Sequence, residues 1–354
     1  ATGLPHISYL DAVNDALKYA HWTGSFWSIE IVDGVGDGNN SHTSLALDGD
    51  GNPHISYISG VLPDREIKYA RWTGSTWDIE IIDSGQYGST SLALDTFGIA
   101  HISYCDTSNG GLKYVHRTAS VWLIQTVDSG SCGYSSLGVD AFGNAHISYY
   151  DTANDDLKYA RWTGSGWDIQ VVDAVGDVGG ASSLALDSRA QPHICYSDAY
   201  PNNNLKYALW TGSDWRTEIV VHDELAQYHS LALDTNDRPH ISYQYGNDRV
   251  LRYIYWMGTD WIGQTLDSRD HVGNDTSLAL DESNNPHISY LDWSSGHLNY
   301  AVGGPPPLLL LKSASPSDGV RNIDMLTYTL TISAPGLNVH LRDPLPDSVL
   351  YIAD

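Results

Sequence analysis

The sequence has 354 residues, with 43 acidic against 18 basic side chains and a formal net charge of −25. A surface this acidic argues against a nucleic-acid partner and against binding to anionic membranes, because both need clustered Lys and Arg. No apolar run approaches the roughly 20 residues of a membrane-spanning helix, so we expect no membrane insertion. The 12 Trp, 23 Tyr and 33 Gly residues indicate many short strands joined by tight turns.

Four short strings recur in a fixed order along the chain, with a period of about 47 residues. We name them a (SLALD), b (PHISY), c (LKYARW) and d (WDIEIID). String a starts at Ser44, Ser91, Ser136, Ser183, Ser230 and Ser277; string b contains His6, His54, His101, His146, His193, His240 and His287; string c starts at Leu17, Ile67, Leu112, Leu157, Leu205, Leu251 and Leu298; string d starts at Trp27, Trp77, Trp122, Trp167, Trp215 and Trp261.

Each string alternates in side-chain character with a period of two, which is typical of a β-strand, and turn sequences such as DGDGNP and TGSG separate the strings. One repeat therefore predicts a four-stranded antiparallel blade, and the set predicts an all-β, seven-bladed β-propeller. The absence of a 3.6-residue period excludes a solenoid of helix pairs. String a carries Ala or Gly at its centre, which suits the innermost strand.

The repeat GNPHISY…LKYARWTGSxW resembles propeller repeats of secreted bacterial proteins, over about residues 1–303. This resemblance implies the propeller fold and a secreted, extracellular location, but no fixed activity. The Trp-Thr-Gly-Ser turns also look distantly similar to those of propeller lectins. The Asp-box of sialidases (Ser-x-Asp-x-Gly-x-Thr-Trp) is not reproduced.

The repeats are incomplete at both ends, since strings a and d occur six times but strings b and c seven times. Blade one lacks a strand a. Residues 308–313 are a candidate for the seventh strand d, because Leu310 follows Leu298 by 12 residues, as Ile79 follows Ile67.

The rival interpretation makes the C-terminal part a new domain. The motifs LKSASP, LTYTLT and DPLP resemble the start of a β-sandwich repeat of large bacterial cell-surface proteins. We therefore predict a propeller at 1–303, a Gly/Pro linker at 304–307 and a partial immunoglobulin-like β-sandwich segment at 308–354. An immunoglobulin-like sandwich needs about 100 residues, so this segment is either truncated or completed by another chain.

The histidines of string b are either structural or a ring of ligands for a metal or an anion. WD-repeat propellers tie their strands together with His, Ser or Thr, Asp and Trp, and this sequence supplies each type. Every string a ends in an Asp (Asp48, Asp95, Asp140, Asp187, Asp234 and Asp281). We expect the structural role, because a symmetric ring preserves its scaffold whereas a site usually breaks the symmetry.

Pairs of Trp flank the c–d turns, and blade three replaces the first of its pair by Arg117. They are expected to pack across the hairpin, or alternatively to stack on sugar rings. The pairs are Trp22/Trp27, Trp72/Trp77, Trp162/Trp167, Trp210/Trp215 and Trp256/Trp261.

Two further features bear on ions and on the compartment. Asp48, Asp50 and Asn52 could form one weak calcium site, although the distal Glu of an EF-hand loop is missing, and no other cofactor is indicated. Cys105 and Cys132 lie in loops on the same face, so a disulfide is possible there and would agree with an oxidising compartment. Cys195 replaces the Ser of string b and is expected to be a buried free thiol.

The function we favour from sequence is a non-catalytic extracellular structural or adhesive module of a bacterial cell-surface assembly. Its partners would be other protein subunits, including copies of itself joined head-to-tail into a filament through the incomplete ends. The alternative is a carbohydrate-binding, lectin-like propeller with glycan partners. A glycan-active enzyme is the least favoured, because no Ser/His/Asp order, phosphate loop or metal-ligand spacing occurs outside the repeat.

Overall fold

The computed structural model describes residues 3–34, 42–61, 63–118, 121–199, 202–222, 226–247, 249–303 and 309–312, the last as backbone only. These residues form 27 strands and no helix. The strands build seven antiparallel sheets, each with its strands in sequence order. The described chain is thus a seven-bladed β-propeller, as the repeat predicts, and none of its segments is a helix that could span a membrane.

The strand bounds follow the four strings. Blade one is β1 (His6–Asp11), β2 (Ala16–Trp22) and β3 (Trp27–Gly34); blade two is β4 (Thr43–Leu47), β5 (Pro53–Ser59), β6 (Arg65–Trp72) and β7 (Trp77–Gly85); blade three is β8 (Tyr87–Leu94), β9 (Ala100–Asp106), β10 (Leu112–Arg117) and β11 (Trp122–Asp128); blade four is β12 (Cys132–Val139), β13 (Ala145–Asp151), β14 (Asp156–Trp162) and β15 (Trp167–Asp173).

The later blades repeat this order. Blade five is β16 (Val178–Leu186), β17 (Pro192–Asp198), β18 (Leu205–Trp210) and β19 (Trp215–Val221); blade six is β20 (Gln227–Leu233), β21 (Pro239–Tyr245), β22 (Val250–Trp256) and β23 (Trp261–Asp267); blade seven is β24 (Val272–Leu280), β25 (Pro286–Asp292), β26 (His297–Gly303) and β27 (Leu309–Lys312).

The core lies between neighbouring blades. The strand-b Ile and Tyr of blades two to seven are buried against an adjacent blade, and the Trp that starts each strand d meets the strand-c Tyr of the preceding blade edge-on. The ring centroids are 5.0–5.5 Å apart in the six such pairs. One of these pairs, Trp27 with Tyr300, joins blade one to blade seven and closes the ring.

The last strand differs from the sequence prediction by one residue. β27 does form the outer strand of blade seven, but Leu311 lies opposite Ala301, whereas Ile79 lies opposite the equivalent Ala70. The predicted register, with Leu310 at this place, is therefore wrong. The reason is loop length, because five residues separate Gly303 from its partner Leu309 and only four separate Trp72 from Trp77.

The proposed linker and most of the proposed sandwich segment lie outside the described residues, so that domain division stays a prediction. Blade one has three strands in the described part of the chain. Its inner position, which strand a fills in the other blades, is occupied by no described strand.

Candidate functional site

Every blade contains the same hydrogen bond from the strand-b histidine. Its Nδ1 bonds the hydroxyl of a strand-c tyrosine, in the pairs His6–Tyr19, His54–Tyr69, His101–Tyr114, His146–Tyr159, His193–Tyr207, His240–Tyr253 and His287–Tyr300. In blades two to seven, the Nε2 atom lies 3.4–4.0 Å from the Asp that follows strand a.

These contacts support a structural role for the histidines. Burial lowers the pKa of His54, His101, His146, His193 and His240 below the ordinary value, with the nearby Asp opposing the shift. The imidazoles are therefore neutral at pH 7 and each is held inside its own blade. The described residues contain no group of three or more His, Cys, Asp or Glu that could hold a metal ion.

The network differs from the WD-like one in its other members, since tyrosine takes the place expected for Trp. The strand-b Ser instead bonds a hydroxyl on the inner strand of the next blade, as Ser56 does with Thr90 and Ser103 with Ser135, each at 3.0 Å. These hydroxyl pairs tie blades together, so the string-b Ser is an inter-blade contact.

The two members of each Trp pair have different surroundings. The rings meet at centroid distances of 5.4–5.7 Å across the hairpin. In strand d, the indole of Trp167 donates to Gln125 and that of Trp215 donates to Gln170, both in the preceding blade. The strand-d Trp is thus part of the blade interface, and the strand-c Trp that packs on it is half-buried as well.

A cleft of about 580 Å³ lies between blades two and three. The turn after β4, the end of β6 and the turn after β8 form its walls, which include Asp50, Asn52, Arg71, Trp72 and Phe97. The Phe97 ring is 86% exposed. The Arg71 guanidinium donates to Asp78 at 2.9 Å across the c–d hairpin, which fixes its position beside Trp72. The cleft therefore combines aromatic surface with fixed polar groups.

The proposed calcium ligands belong to a turn that occurs in every complete blade. One carboxylate oxygen of Asp48 accepts hydrogen bonds from the backbone N–H groups of Asp50 and Asn52, and the other accepts from the Asn52 side chain. Asp140 makes the equivalent bonds with Phe142 and Asn144. The carboxylate of Asp48 is already engaged in the turn, and calcium binding there stays a prediction.

The cysteines form one disulfide and one free thiol. Cys105 at the end of β9 and Cys132 at the start of β12 are bonded to each other, which links blade three to blade four. Cys195 is fully buried, and burial raises the pKa of its thiol. Its Sγ lies 3.4 Å from Nδ1 of His229, whose own pKa burial lowers to about 4. This buried pair replaces the hydroxyl pair of the other interfaces.

Sequence reasoning missed a group of residues that lie two positions before the Ser of string a. Here the blades differ, with His42, Tyr134, Tyr228 and Asp275 in blades two, four, six and seven. The rings of His42 and Tyr134 are 6.0 Å apart, although another blade lies between theirs. Burial raises the pKa of Asp275 and lowers that of His42, and their opposite charges partly offset both shifts. We call these four residues the axial cluster.

The sequence did carry a signal for the axial cluster. The Ser-Leu that begins string a is the same in all six blades, but the position two residues before this Ser holds His, Tyr and Asp in different blades, as well as Ser89 and Ala181. Variation at one position of a symmetric repeat indicates side chains that converge on the axis without a shared scaffold role.

No protein-family model matches the sequence, and no curated protein matches it. Among solved structures, the chain is similar to a family-25 polysaccharide lyase, an ulvan lyase, with 13% identity, a TM-score of 0.61, and coverage of 86% of this chain and 90% of the other. It is also similar to the SapL1 lectin in complex with α-methyl fucoside, at 11% identity and a TM-score of 0.53, with 78% and 97% covered.

A third similar structure is the six-bladed fucose-recognising lectin of the fungus Aleuria aurantia, at 12% identity and a TM-score of 0.50, with 76% and 93% covered. At these identities the likeness establishes the β-propeller fold alone. The similar structures include both lectins and a polysaccharide lyase.

Proposed function

We propose that this propeller is a non-catalytic, extracellular carbohydrate-binding module whose sugar site is the cleft between blades two and three. The observation that supports this most directly is the position of Trp72 and Phe97 beside Arg71 and Asp50 in one cleft. A sugar ring presents an apolar face of C–H groups and a rim of hydroxyls. An aromatic side chain covers the face, and a few placed polar groups bond the rim.

Arg71 suits the rim because its five N–H donors are fixed in a plane and Asp78 uses only part of them. Asp50 and Asn52 add hydrogen-bond acceptors in the same cleft. The disulfide between Cys105 and Cys132 agrees with an extracellular location, since disulfides persist in oxidising compartments.

Blade four provides a matched control for the cleft. Arg161, Trp162 and Asp168 repeat the Arg, Trp and Asp of blade two, but blade four has Phe142 in the place of Asp50, and the facing turn of blade five has Arg189 where blade three has Phe97. A glycan array should first identify a ligand, and Trp fluorescence should then measure its affinity. We expect Trp72→Ala to weaken binding at least about tenfold and Trp162→Ala to leave it unchanged. An array without ligands, or equal losses in the two variants, would contradict the proposal.

A glycan-active enzyme is a second candidate, favoured by the axial cluster. His42, Asp275, Tyr134 and Tyr228 offer groups that exchange protons, and burial lowers the pKa of His42 and raises the pKa values of Tyr228 and Asp275. The test is the release of new chain ends from any polysaccharide that the protein binds. An active protein that loses turnover but not affinity in His42→Ala would support catalysis, and intact polysaccharide after prolonged incubation would contradict it.

Assembly into a structural or adhesive filament remains a prediction. It is supported by exposed isoleucines on the outer edge strands of blades one and two, where Ile29, Ile31, Ile79 and Ile81 are 36–64% exposed. Edge strands with apolar side chains readily pair with other chains. Light scattering should find assemblies of the full chain, and deletion of residues 313–354, which keeps β27 in blade seven, should leave monomers. A full chain that is monomeric at high concentration contradicts the filament.

A further inference from the structure

Inner strands of neighbouring blades are joined by one repeated hydrogen bond. The Ser of each string a accepts a bond from the backbone N–H of the first Leu of string a in the next blade, at 3.0–3.1 Å. The bonds are Leu92 to Ser44, Leu137 to Ser91, Leu184 to Ser136, Leu231 to Ser183 and Leu278 to Ser230. This line of five hydrogen bonds runs around the ring from β4 in blade two to β24 in blade seven, and both of its ends face blade one.

The two ends and the inner edge of β1 together form what we call the open edge. Ser277, the last Ser of the line, is exposed, whereas the other five are half-buried. All six residues of β1 are only half-buried, whereas the equivalent strands β5 and β9 are buried throughout. In the described structure, β1 pairs on one side only, with β2. The open edge thus presents a row of backbone donors and acceptors beside apolar surface.

We propose that the open edge binds an extended polypeptide segment of the pattern Thr/Ser-Ser-Leu-Ala-Leu-Asp, supplied from outside residues 1–354. Each position of this pattern follows from contacts in the complete blades. Its Ser accepts from the N–H of Leu45, and the N–H of its first Leu donates to Ser277. Its Thr or Ser bonds Ser289, as Thr43 bonds Ser8 at 2.8 Å.

The remaining positions are set by space and charge. The centre must be small, because this position holds Ala or Gly in all six complete blades, and even a Cβ added at Gly138 would lie 3.0 Å from the Leu184 side chain of the next blade. The final Asp lies beside His6, in the place that Asp48 takes beside His54, where the side chains are 3.6 Å apart. Residues 313–354 contain no Ser-Leu-Ala-Leu-Asp string, and each such string in the described chain already lies inside a blade.

The test uses the full chain and a fluorescent peptide of sequence TSLALD, which is that of residues 43–48. Fluorescence anisotropy should show saturable binding of one peptide per chain, and the peptide should raise the melting temperature. A peptide with Trp in place of its Ala should bind at least about tenfold more weakly. Ser277→Ala should weaken binding of the original peptide by about tenfold, the equivalent of one hydrogen bond to a buried edge.

Ser91→Ala is the matched control, because it removes the same acceptor at an interior interface. It should lower the melting temperature without changing the affinity for the peptide. The proposal is overturned if the folded chain does not bind TSLALD, or if the Trp peptide binds equally well. It is also overturned if binding occurs only after residues 313–354 are deleted, since the chain's own C-terminal segment would then occupy the open edge.

Discussion

Replacement of His146 by Ala tests the histidine network most directly. His146 is 1% exposed; its Nδ1 bonds Tyr159 at 2.5 Å, and its Nε2 lies 3.5 Å from Asp140. The variant leaves the buried Tyr159 hydroxyl without this partner, at a cost of about 1–2 kcal/mol. Loss of the packed ring adds about 1–2 kcal/mol. Asp140 keeps its turn hydrogen bonds and adds little, so we expect a total loss of about 3 kcal/mol.

Urea unfolding followed by Trp fluorescence measures this loss, and His6→Ala is the control. His6 bonds Tyr19 as His146 bonds Tyr159, but it is half-buried and no described Asp faces it. The control should therefore cost only about 1 kcal/mol. Equal losses in the two variants would refute the argument from burial. Loss of glycan binding by His146→Ala with unchanged stability would refute the structural role altogether.

Two further predictions concern pH and the disulfide. Five of the string-b histidines that face an Asp have pKa values lowered by burial, so the unfolded chain binds protons more readily than the folded chain. The free energy of unfolding should therefore be highest above about pH 6.5 and fall as the pH drops below that value. Urea unfolding at pH 7.5 and at pH 5 measures this difference, and a protein that becomes more stable on acidification would contradict the prediction. The Cys105–Cys132 disulfide closes a loop of 27 residues, so Cys105→Ala/Cys132→Ala should lose about 3.5 kcal/mol, and non-reducing peptide mapping that finds both thiols free would contradict the bond.

The propeller could be predicted from sequence because each blade repeats the same sequence pattern. The period-two alternation of side-chain character predicts the strands, and the turn residues predict where each strand ends. The pattern does not predict where the inner strands begin. Strands β16 and β24 begin at Val178 and Val272, five residues before the Ser of string a. Gly179 and Gly273 allow these extensions by adopting positive φ, and a Cβ at Gly179 would lie 2.9 Å from the backbone of Leu157. That approach involves the preceding blade and leaves no periodic signal.

The candidate site was predictable only in part, because it is formed between blades. The Trp of string c is visible in every repeat except those of blades three and seven. Phe97, which is replaced by Arg189 in the cleft of Trp162, lies in the blade that follows Trp72. Phe97 comes from a turn whose sequence reads as an ordinary solvated loop. The tyrosine that bonds each histidine was equally visible, since it follows the histidine by 13–15 residues in every blade. By similarity to WD repeats, a Trp was expected in the place of this tyrosine.

Repetition also determines how function can be separated from stability in this protein. A contact that recurs in seven blades has equivalents that measure its structural contribution, because the same substitution can be made where no ligand is proposed. Trp72 has Trp162, His146 has His6, and Ser277 has Ser91 as such equivalents. The axial cluster has none, since this position holds His, Tyr, Asp, Ser or Ala in different blades. If these residues served the fold, each substitution would affect stability in its own way. If His42→Ala and Asp275→Asn reduce the same activity to a similar extent but do not change stability to a similar extent, the cluster serves a function.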